Sequence, residues 1–233
     1  MRCLALACDY DGTLAFEGRV SDATISALKR INASGRKLLL VTGRELPDLR
    51  EVFHDLDLFD RAVVENGALL YCPATREQVV LASPPPQAFV DLLRERQVHP
   101  LSVGQGIVAT LRTQAPIVAE SIRELGIGWR LIFNKESLMV LPETVNKATG
   151  LRAALAALGI KPENVAAIGD AENDLPFLSQ CGYSAAVANA LDVVKEQADV
   201  VTRKARGEGV VEFIDMILAD HLQSLGRGSF PAW

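Results

Sequence analysis

Asp9 and Asp11 are two carboxylates one residue apart, preceded by the apolar run Leu4-Ala5-Leu6-Ala7-Cys8 and followed by Gly12 and Thr13. An apolar run of this length, stopped by a turn signal, reads as a strand buried on both faces. Open parallel sheets bind ligands at the carboxyl ends of their strands, so the two acids stand where chemistry is done. The turn at Gly12 lets both carboxyl groups face one ligand. Two acids this close repel each other unless a cation or a shared proton intervenes. A hard cation such as Mg²⁺, which takes oxygen ligands from a few carboxylates, is the simplest solution. Taken alone, Asp-Tyr-Asp-Gly also suits a polar turn, so its meaning depends on what the rest of the chain sets beside it.

The elements that must position these acids alternate between strand and helix. The strand at 3–8 leads to a helix from near Ser21, with Ser21 or Asp22 as cap and Ile25, Leu28 and Ile31 as the apolar stripe; Gly35 ends it. A second strand at 37–41 stops at Thr42-Gly43-Arg44, and a helix follows over 45–55 with Pro47 in its first turn. A third strand at 62–64 ends at Glu65-Asn66-Gly67-Ala68, and 68–71 can pair with 78–81 as a hairpin. Ser83-Pro84-Pro85-Pro86 then breaks the pattern, because three prolines continue neither a strand nor a helix interior. From there to 141 the order is a helix at 87–96, a strand at 107–112, a helix at 117–125, and strands at 129–133 and 138–141 joined tightly as antiparallel neighbours.

After Pro142 the alternation returns. A helix over 147–158 ends at Gly159, and a strand at 165–168 stops at Gly169-Asp170-Ala171-Glu172-Asn173-Asp174. A helix at 175–180, a strand at 184–187, a helix from Leu191, a strand at 200–202 and a last helix from Glu208 complete the pattern; the tail 226–233 is expected to be loose. Alternating strands and helices imply right-handed crossovers and an α/β fold with a doubly wound parallel sheet. The expected domains are a core over 1–82 and 142–233 and a small inserted α+β domain over 83–141.

At 233 residues, 49% hydrophobic and 23% charged, the chain can bury a sizeable core. A net charge of −5 with no basic run argues against nucleic acid as a partner. Cys3, Cys8, Cys72 and Cys181 show no Cys-x-x-Cys spacing, so zinc and redox motifs are unsupported and reduced thiols are expected. His54, His99 and His221 show no ligand spacing either. The apolar residues before Asp9 are too few for a signal-peptide core or a bilayer span, which gives the expectation of a cytoplasmic protein with no membrane partner. Nothing in the chain points to a particular oligomeric state.

Three strand or helix ends besides the first carry polar groups: Thr42-Gly43-Arg44, Gly169-Asp170 with Asn173-Asp174, and Lys147 at the start of the helix after the insertion. Each alone has a plainer reading. Asp170 and Asp174 suit helix capping, Lys147 a solvated surface, Thr42-Gly43 a turn, and Arg44 a pairing with an acid. Together, in this order, they resemble the haloacid dehalogenase superfamily of phosphotransferases, within its Cof-like branch (subfamily IIB, with a C2 cap). Glu65-Asn66-Gly67-Ala68, Asn189-Ala190 and Ala198-Asp199-Val200-Val201-Thr202 match softer features of that branch. Two departures are minor: Asn146 precedes Lys147 where a serine is common, and Phe177 stands near a usual methionine.

The resemblance implies a Rossmannoid core with a C2-type cap and a Mg²⁺-dependent phosphatase. A phosphate monoester dianion repels nucleophiles until its charge is neutralised. Asp9 is the expected nucleophile, giving an aspartyl-phosphate, and Asp11 the expected general acid, which later activates water. The implied metal ligands are the Asp9 side chain, the Asp11 backbone carbonyl and Asp170, with Asp174 in support. Thr42, Gly43 and Lys147 are expected to hold phosphate oxygens. Arg44, Asn66 and Asn173 are expected to meet substrate or to support the site. The expected substrate is a small phosphorylated metabolite: phosphoglycolate, a sugar phosphate or similar. Of Arg94, Arg96, Arg112, Arg123, Arg130 and Lys135 in the insertion, one or two could bind a substrate carboxylate. A phosphomutase, or a non-catalytic sensor of a phosphorylated ligand, remains the alternative.

Overall fold

The computed structural model describes residues 3–220; His221 and the tail 226–233 lie outside them. In chain order the elements are β1 (Ala5–Cys8), α1 (Asp22–Ala33), β2 (Lys37–Val41), α2 (Leu46–Val52), β3 (Arg61–Val64), β4 (Leu69–Cys72) and β5 (Glu77–Val80). Next come α3 (Gln87–Glu95), β6 (Ser102–Val103), β7 (Val108–Leu111), α4 (Ala115–Leu125), β8 (Trp129–Asn134) and β9 (Ser137–Pro142). The chain continues with α5 (Lys147–Leu158), β10 (Val165–Gly169), α6 (Leu175–Leu178), β11 (Tyr183–Ala186), α7 (Asp192–Gln197), β12 (Val200–Val201) and α8 (Arg206–Leu218).

Eight strands form one sheet in the order β12-β11-β10-β1-β2-β3-β4-β5. The six from β12 to β3 are parallel, and β4 and β5 extend the edge as antiparallel strands. Chain order runs outward from β1 in one direction through β2 and β3, and from β10 in the other through β11 and β12. The β1–β10 junction is therefore the point at which the winding reverses, where such sheets bind ligands. Every residue of β1 is buried, as its Ala-Leu-Ala-Cys composition requires of a central parallel strand. Cys8 pairs with Ile168 on one side and with Leu40 on the other. The three strands thus end level, and Asp9, Asp170 and Thr42 follow them within two residues.

The flanking helices begin where their caps dictate. Ser21 caps α1 by accepting from the Thr24 N–H. Asn146 caps α5 in a reciprocal box with Thr149. Gly150 lets α5 close onto β3: a Cβ there would collide with Val63 and Gly67.

The second sheet is antiparallel, in the order β6-β7-β9-β8. Phe89, Val90 and Leu93 of the amphipathic α3 and Val118 of α4 pack on it around Trp129, Val108 and Val140. A smaller cluster of Ala68, Ile107, Met139, Leu141 and Val145 joins this layer to the first sheet. None of the described helices is long and apolar enough to cross a membrane.

Three expectations needed adjustment. The helix expected over 45–55 stops at Val52, because Phe53 leaves helical geometry to pack its ring against Tyr10 and Phe59. The last helix starts at Arg206, two residues early; Gly207 and Gly209 hide that start from a propensity reading, yet both glycines sit in close packing against Thr24 and Thr202. The two-residue β6 was not anticipated, since its exposed side chains carry no periodicity.

Candidate active site

Asp9 directly follows β1, and its N–H donates to the Ile168 carbonyl at 3.0 Å. Lys147, the first residue of α5, is 1% exposed. Its Nζ donates to Asp9 Oδ1 at 2.5 Å and to Asp174 Oδ1 at 2.6 Å. The other oxygen of Asp174 accepts the backbone N–H groups of Asp170 (2.8 Å) and Ala171 (2.9 Å), closing the turn after β10. Asp170 Oδ1 accepts from the Thr13 hydroxyl at 3.2 Å. Its Oδ2 accepts from Lys135 Nζ at 2.6 Å.

Carboxylate oxygens of Asp9, Asp170 and Asp174 lie within 4.8 Å of one another, and all three residues are buried. Burial and the charge of Asp174 push Asp9 well above the usual carboxylate range, although Lys147 opposes them. Burial and Asp174 also push Asp170 up, against Lys135. Burial works against the charge on Lys147, but Asp174 and Asp9 outweigh it and hold the ammonium above its usual value. Oxygen-only donors and surplus buried negative charge fit a hard divalent cation. The Asp174 oxygens are tied to two backbone N–H groups and to the buried Lys147, so Asp174 suits an orienting role; Asp9 engages Lys147 through Oδ1, and Asp170 Oδ2 is held by the half-exposed Lys135.

The Asp11 carboxylate is not one of that group. Arg44 grips both of its oxygens, Nε to Oδ2 at 2.7 Å and Nη2 to Oδ1 at 2.8 Å, while Arg44 Nη1 donates to Asp48 at 2.7 Å. Of the two roles open to Arg44, the structure shows the pairing with acids. Thr42 is buried, and its hydroxyl accepts the Arg44 N–H at 3.1 Å. Gly43 sits beneath β9: a Cβ there would come within 2.8 Å of Met139 Sδ. Asn173 Nδ2 donates to Asn66 Oδ1 at 3.2 Å, and Asn66 Nδ2 and Asn173 Oδ1 are buried without partners. Asn189 donates to the Gly12 carbonyl at 2.9 Å and accepts the Arg206 N–H at 2.7 Å, pinning the positive-φ turn at Gly12.

A cavity of about 830 Å³ lies between the two sheets, with Asp9, Asp11, Thr42 and Arg44 on one wall and Lys135 and Met139 on the other. Of the six cationic residues singled out in the insertion, Lys135 lines it. Arg94 pairs with Asp91 and Arg96 with Glu124. Arg112 and Arg130 donate to the backbone carbonyls of Lys135 and Val145. Sequence reasoning singled out neither the contact of Lys135 with Asp170 nor the role of Glu65. The buried Glu65 carboxylate accepts the Gln105 N–H at 3.1 Å and the Gly106 N–H at 2.7 Å, tying the β6–β7 turn to the first sheet. Its place in Glu65-Asn66-Gly67-Ala68 was the signal available in the sequence; the structure adds positive φ at Glu65 and Asn66.

A family model described as haloacid dehalogenase-like hydrolase matches residues 6–124 and 129–214. The phosphoglycolate phosphatase of Methanothermobacter thermautotrophicus is 32% identical over 216 residues, covering 90% of this chain and 96% of that protein. Phosphoglycolate phosphatase 1 of Saccharolobus solfataricus is 30% identical over 223 residues, covering 90% and 93%. A solved structure of a Thermoplasma acidophilum protein superposes with a TM-score of 0.79 at 17% identity, covering 94% of this chain and 99% of that one. That last likeness concerns the fold alone.

Proposed function

This chain belongs to the haloacid dehalogenase-like hydrolases, and from that premise we propose that it is a Mg²⁺-dependent phosphatase of a small phosphorylated acid such as phosphoglycolate. The observation that carries the reading is the chain of contacts from Asp9 through Lys147 to Asp174, with Asp170 alongside. The names of the relatives support the substrate class.

In this reading residues 83–141 act as a cap that excludes bulk water and selects the substrate. Asp9 and Asp170, with the Asp11 backbone carbonyl, would hold the ion. When bound, the ion neutralises carboxylate and phosphoryl charge together. Thr42, the Gly43 N–H and Lys147 receive the remaining phosphoryl oxygens. Lys147 opposes protonation of Asp9 and aims its carboxylate. An Asp9 oxygen bonds to phosphorus as the ester P–O bond breaks, and the departing oxygen takes a proton from Asp11. Water then gives a proton back to Asp11 and its oxygen displaces Asp9, releasing inorganic phosphate. The acid role requires one Asp11 oxygen to exchange Arg44 for the departing oxygen. Asn66 and Asn173 support the site from the side.

The test is phosphate release from phosphoglycolate and from an aryl phosphate, with and without Mg²⁺, for this chain and for Asp9→Asn. Metal-dependent turnover lost in the variant is expected. Turnover indifferent to Mg²⁺ or to Asp9 would overturn the reading.

A further inference from the structure

Lys135 occupies the two-residue turn between β8 and β9, closed by the Asn134–Ser137 pair, with φ at +52°. Glycine or asparagine is the usual choice for such a position. A lysine held there is strained, and strain persists where the surroundings over-determine it. Here they do. Arg112 donates from Nη1 to the Lys135 carbonyl at 2.9 Å and from its backbone N–H to the Glu136 carbonyl at 2.8 Å. The Arg112 guanidinium itself lies 4.6 Å from the Phe133 ring centre. This braced turn sends the Lys135 side chain across the cavity to Asp170 Oδ2.

The other cations of the cavity, and Lys147 in the buried cluster beside it, are committed elsewhere. Arg44 holds Asp11 and Asp48, Lys147 holds Asp9 and Asp174, and Arg206 lies 4.1 Å from the Phe16 ring centre. Lys135 is different: its acid partner is a residue that the metal needs. Asp170 Oδ1 already takes the Thr13 hydroxyl, so Oδ2 is the oxygen for which a lysine and a divalent cation compete. A divalent cation brings twice the charge and no rotamer entropy, and it displaces the ammonium. The side chain of Lys135 is 47% exposed, so it is free to swing on its four-carbon stem. Released from Asp170, it would be an unpaired cation on the cavity wall opposite Thr42.

We infer that Lys135 exchanges partners: it leaves Asp170 when the divalent cation binds, and then receives the carboxylate of a phosphorylated acid. It is thereby a specificity-determining residue for acidic over neutral phosphate esters. This rests on the phosphatase reading above.

The experiment compares wild type with Lys135→Met and with Lys135→Gly, the second of which also relaxes the turn. Mg²⁺ affinity is measured by calorimetry without substrate, and kcat/KM is measured for phosphoglycolate and for p-nitrophenyl phosphate. Loss of the competing ammonium is expected to tighten Mg²⁺ roughly three- to tenfold, the scale of a part-exposed ion pair. Loss of a charge-assisted contact is expected to lower the ratio of the acid to the neutral ester about tenfold. An unchanged Mg²⁺ affinity, or an unchanged ester ratio, in both variants overturns the inference. No phosphate from either ester with wild type sinks the phosphatase reading and this inference with it, whereas normal wild-type turnover with unshifted variants sinks the inference alone.

Discussion

Arg44 takes both carboxylate oxygens of Asp11 in a two-pronged grip across neighbouring strand ends, at 2.7 and 2.8 Å. The fork fixes the plane of the Asp11 carboxylate as well as its charge. Asp48 holds the guanidinium from the far side at 2.7 Å. The second acid of Asp9-Tyr10-Asp11 is therefore oriented by a partner of its own, apart from the buried cluster that contains the first.

Arg44→Lys keeps the charge and removes the fork. We expect kcat to fall about tenfold, the scale of one oriented charge-assisted contact, with Mg²⁺ affinity unchanged. The pair is part-exposed, so the urea midpoint should move little, by less than about 1 kcal/mol of stability. Steady-state kinetics beside urea melts check both. A large stability loss with normal kcat would mean that Arg44 holds the fold and does not orient the acid.

Lys147→Met leaves Asp9 and Asp174 buried without their shared cation. Breaking a buried pair in this way costs roughly 3–5 kcal/mol, so the melting temperature in EDTA should drop sharply. Mg²⁺ should then raise the melting temperature of the variant more than that of wild type, since an ion can replace the missing charge and stabilises in proportion to its binding. Equal Mg²⁺ stabilisation of the two proteins would contradict this account of the cluster.

Gly67→Ala should be strongly destabilising. Gly67 has φ of +109°, and a Cβ there would run into the Asn146 carbonyl. A penalty of about 2 kcal/mol or more is expected from strain and overlap together. Because Asn146 caps α5 just before Lys147, Mg²⁺-dependent turnover should fall with it. Gly35→Ala is the control, since a Cβ at Gly35, also at positive φ, meets nothing within 4 Å. The two variants, melted in parallel, separate collision from conformational cost; equal losses would argue against the collision.

Glu65 gives a pH signature. Burial lifts its carboxyl above the ordinary value of 4.5, against the N–H groups of Gly106 and Gln105. A carboxyl that holds its proton more tightly when folded contributes stability at low pH, and that contribution is lost as pH rises through the folded value. Asp9 and Asp170 shift the same way, so comparison with Glu65→Gln isolates the one group. In EDTA, the stability of wild type relative to the variant should decline as pH rises above about 4.5. A relative stability that grows with pH would show the two N–H groups outweighing burial.

The parts of the site legible in the chain were those that a strand end dictates. Asp9, Thr42 and Asp170 each follow a short apolar run that can only be a buried strand, and level strand ends bring them together. Lys147 was legible through its place in the family resemblance, at the start of the helix after the insertion, since alone it reads as a solvated surface lysine; its cap by Asn146 and Thr149 is a finding of the structure. The rest depends on geometry that spacing does not carry. Lys135 reaches Asp170 from a hairpin in another sheet, and nothing in its neighbourhood distinguishes it from Arg94 or Arg123. Arg44 carries two equally natural roles in sequence, and only the positions of Asp11 and Asp48 choose between them. Phe53 ends a helix early because of rings that come from Tyr10 and Phe59.

The central place of β1 sets the order in which the molecule can mature. β1 bonds to β2 on one side, but its other neighbour, β10, begins at Val165. A chain growing from its N-terminus makes β1 through β5 and the whole second sheet before that open edge of β1 has a partner. Throughout synthesis of this middle stretch, an apolar strand edge stays exposed, the kind of edge that invites pairing with other chains. Such long-range parallel pairing closes slowly, because loop entropy is lost before the contacts form. Closure of that edge also delivers Asp170 and Asp174 to Asp9, so the arrival of β10 completes the sheet and assembles the three carboxylates in one event.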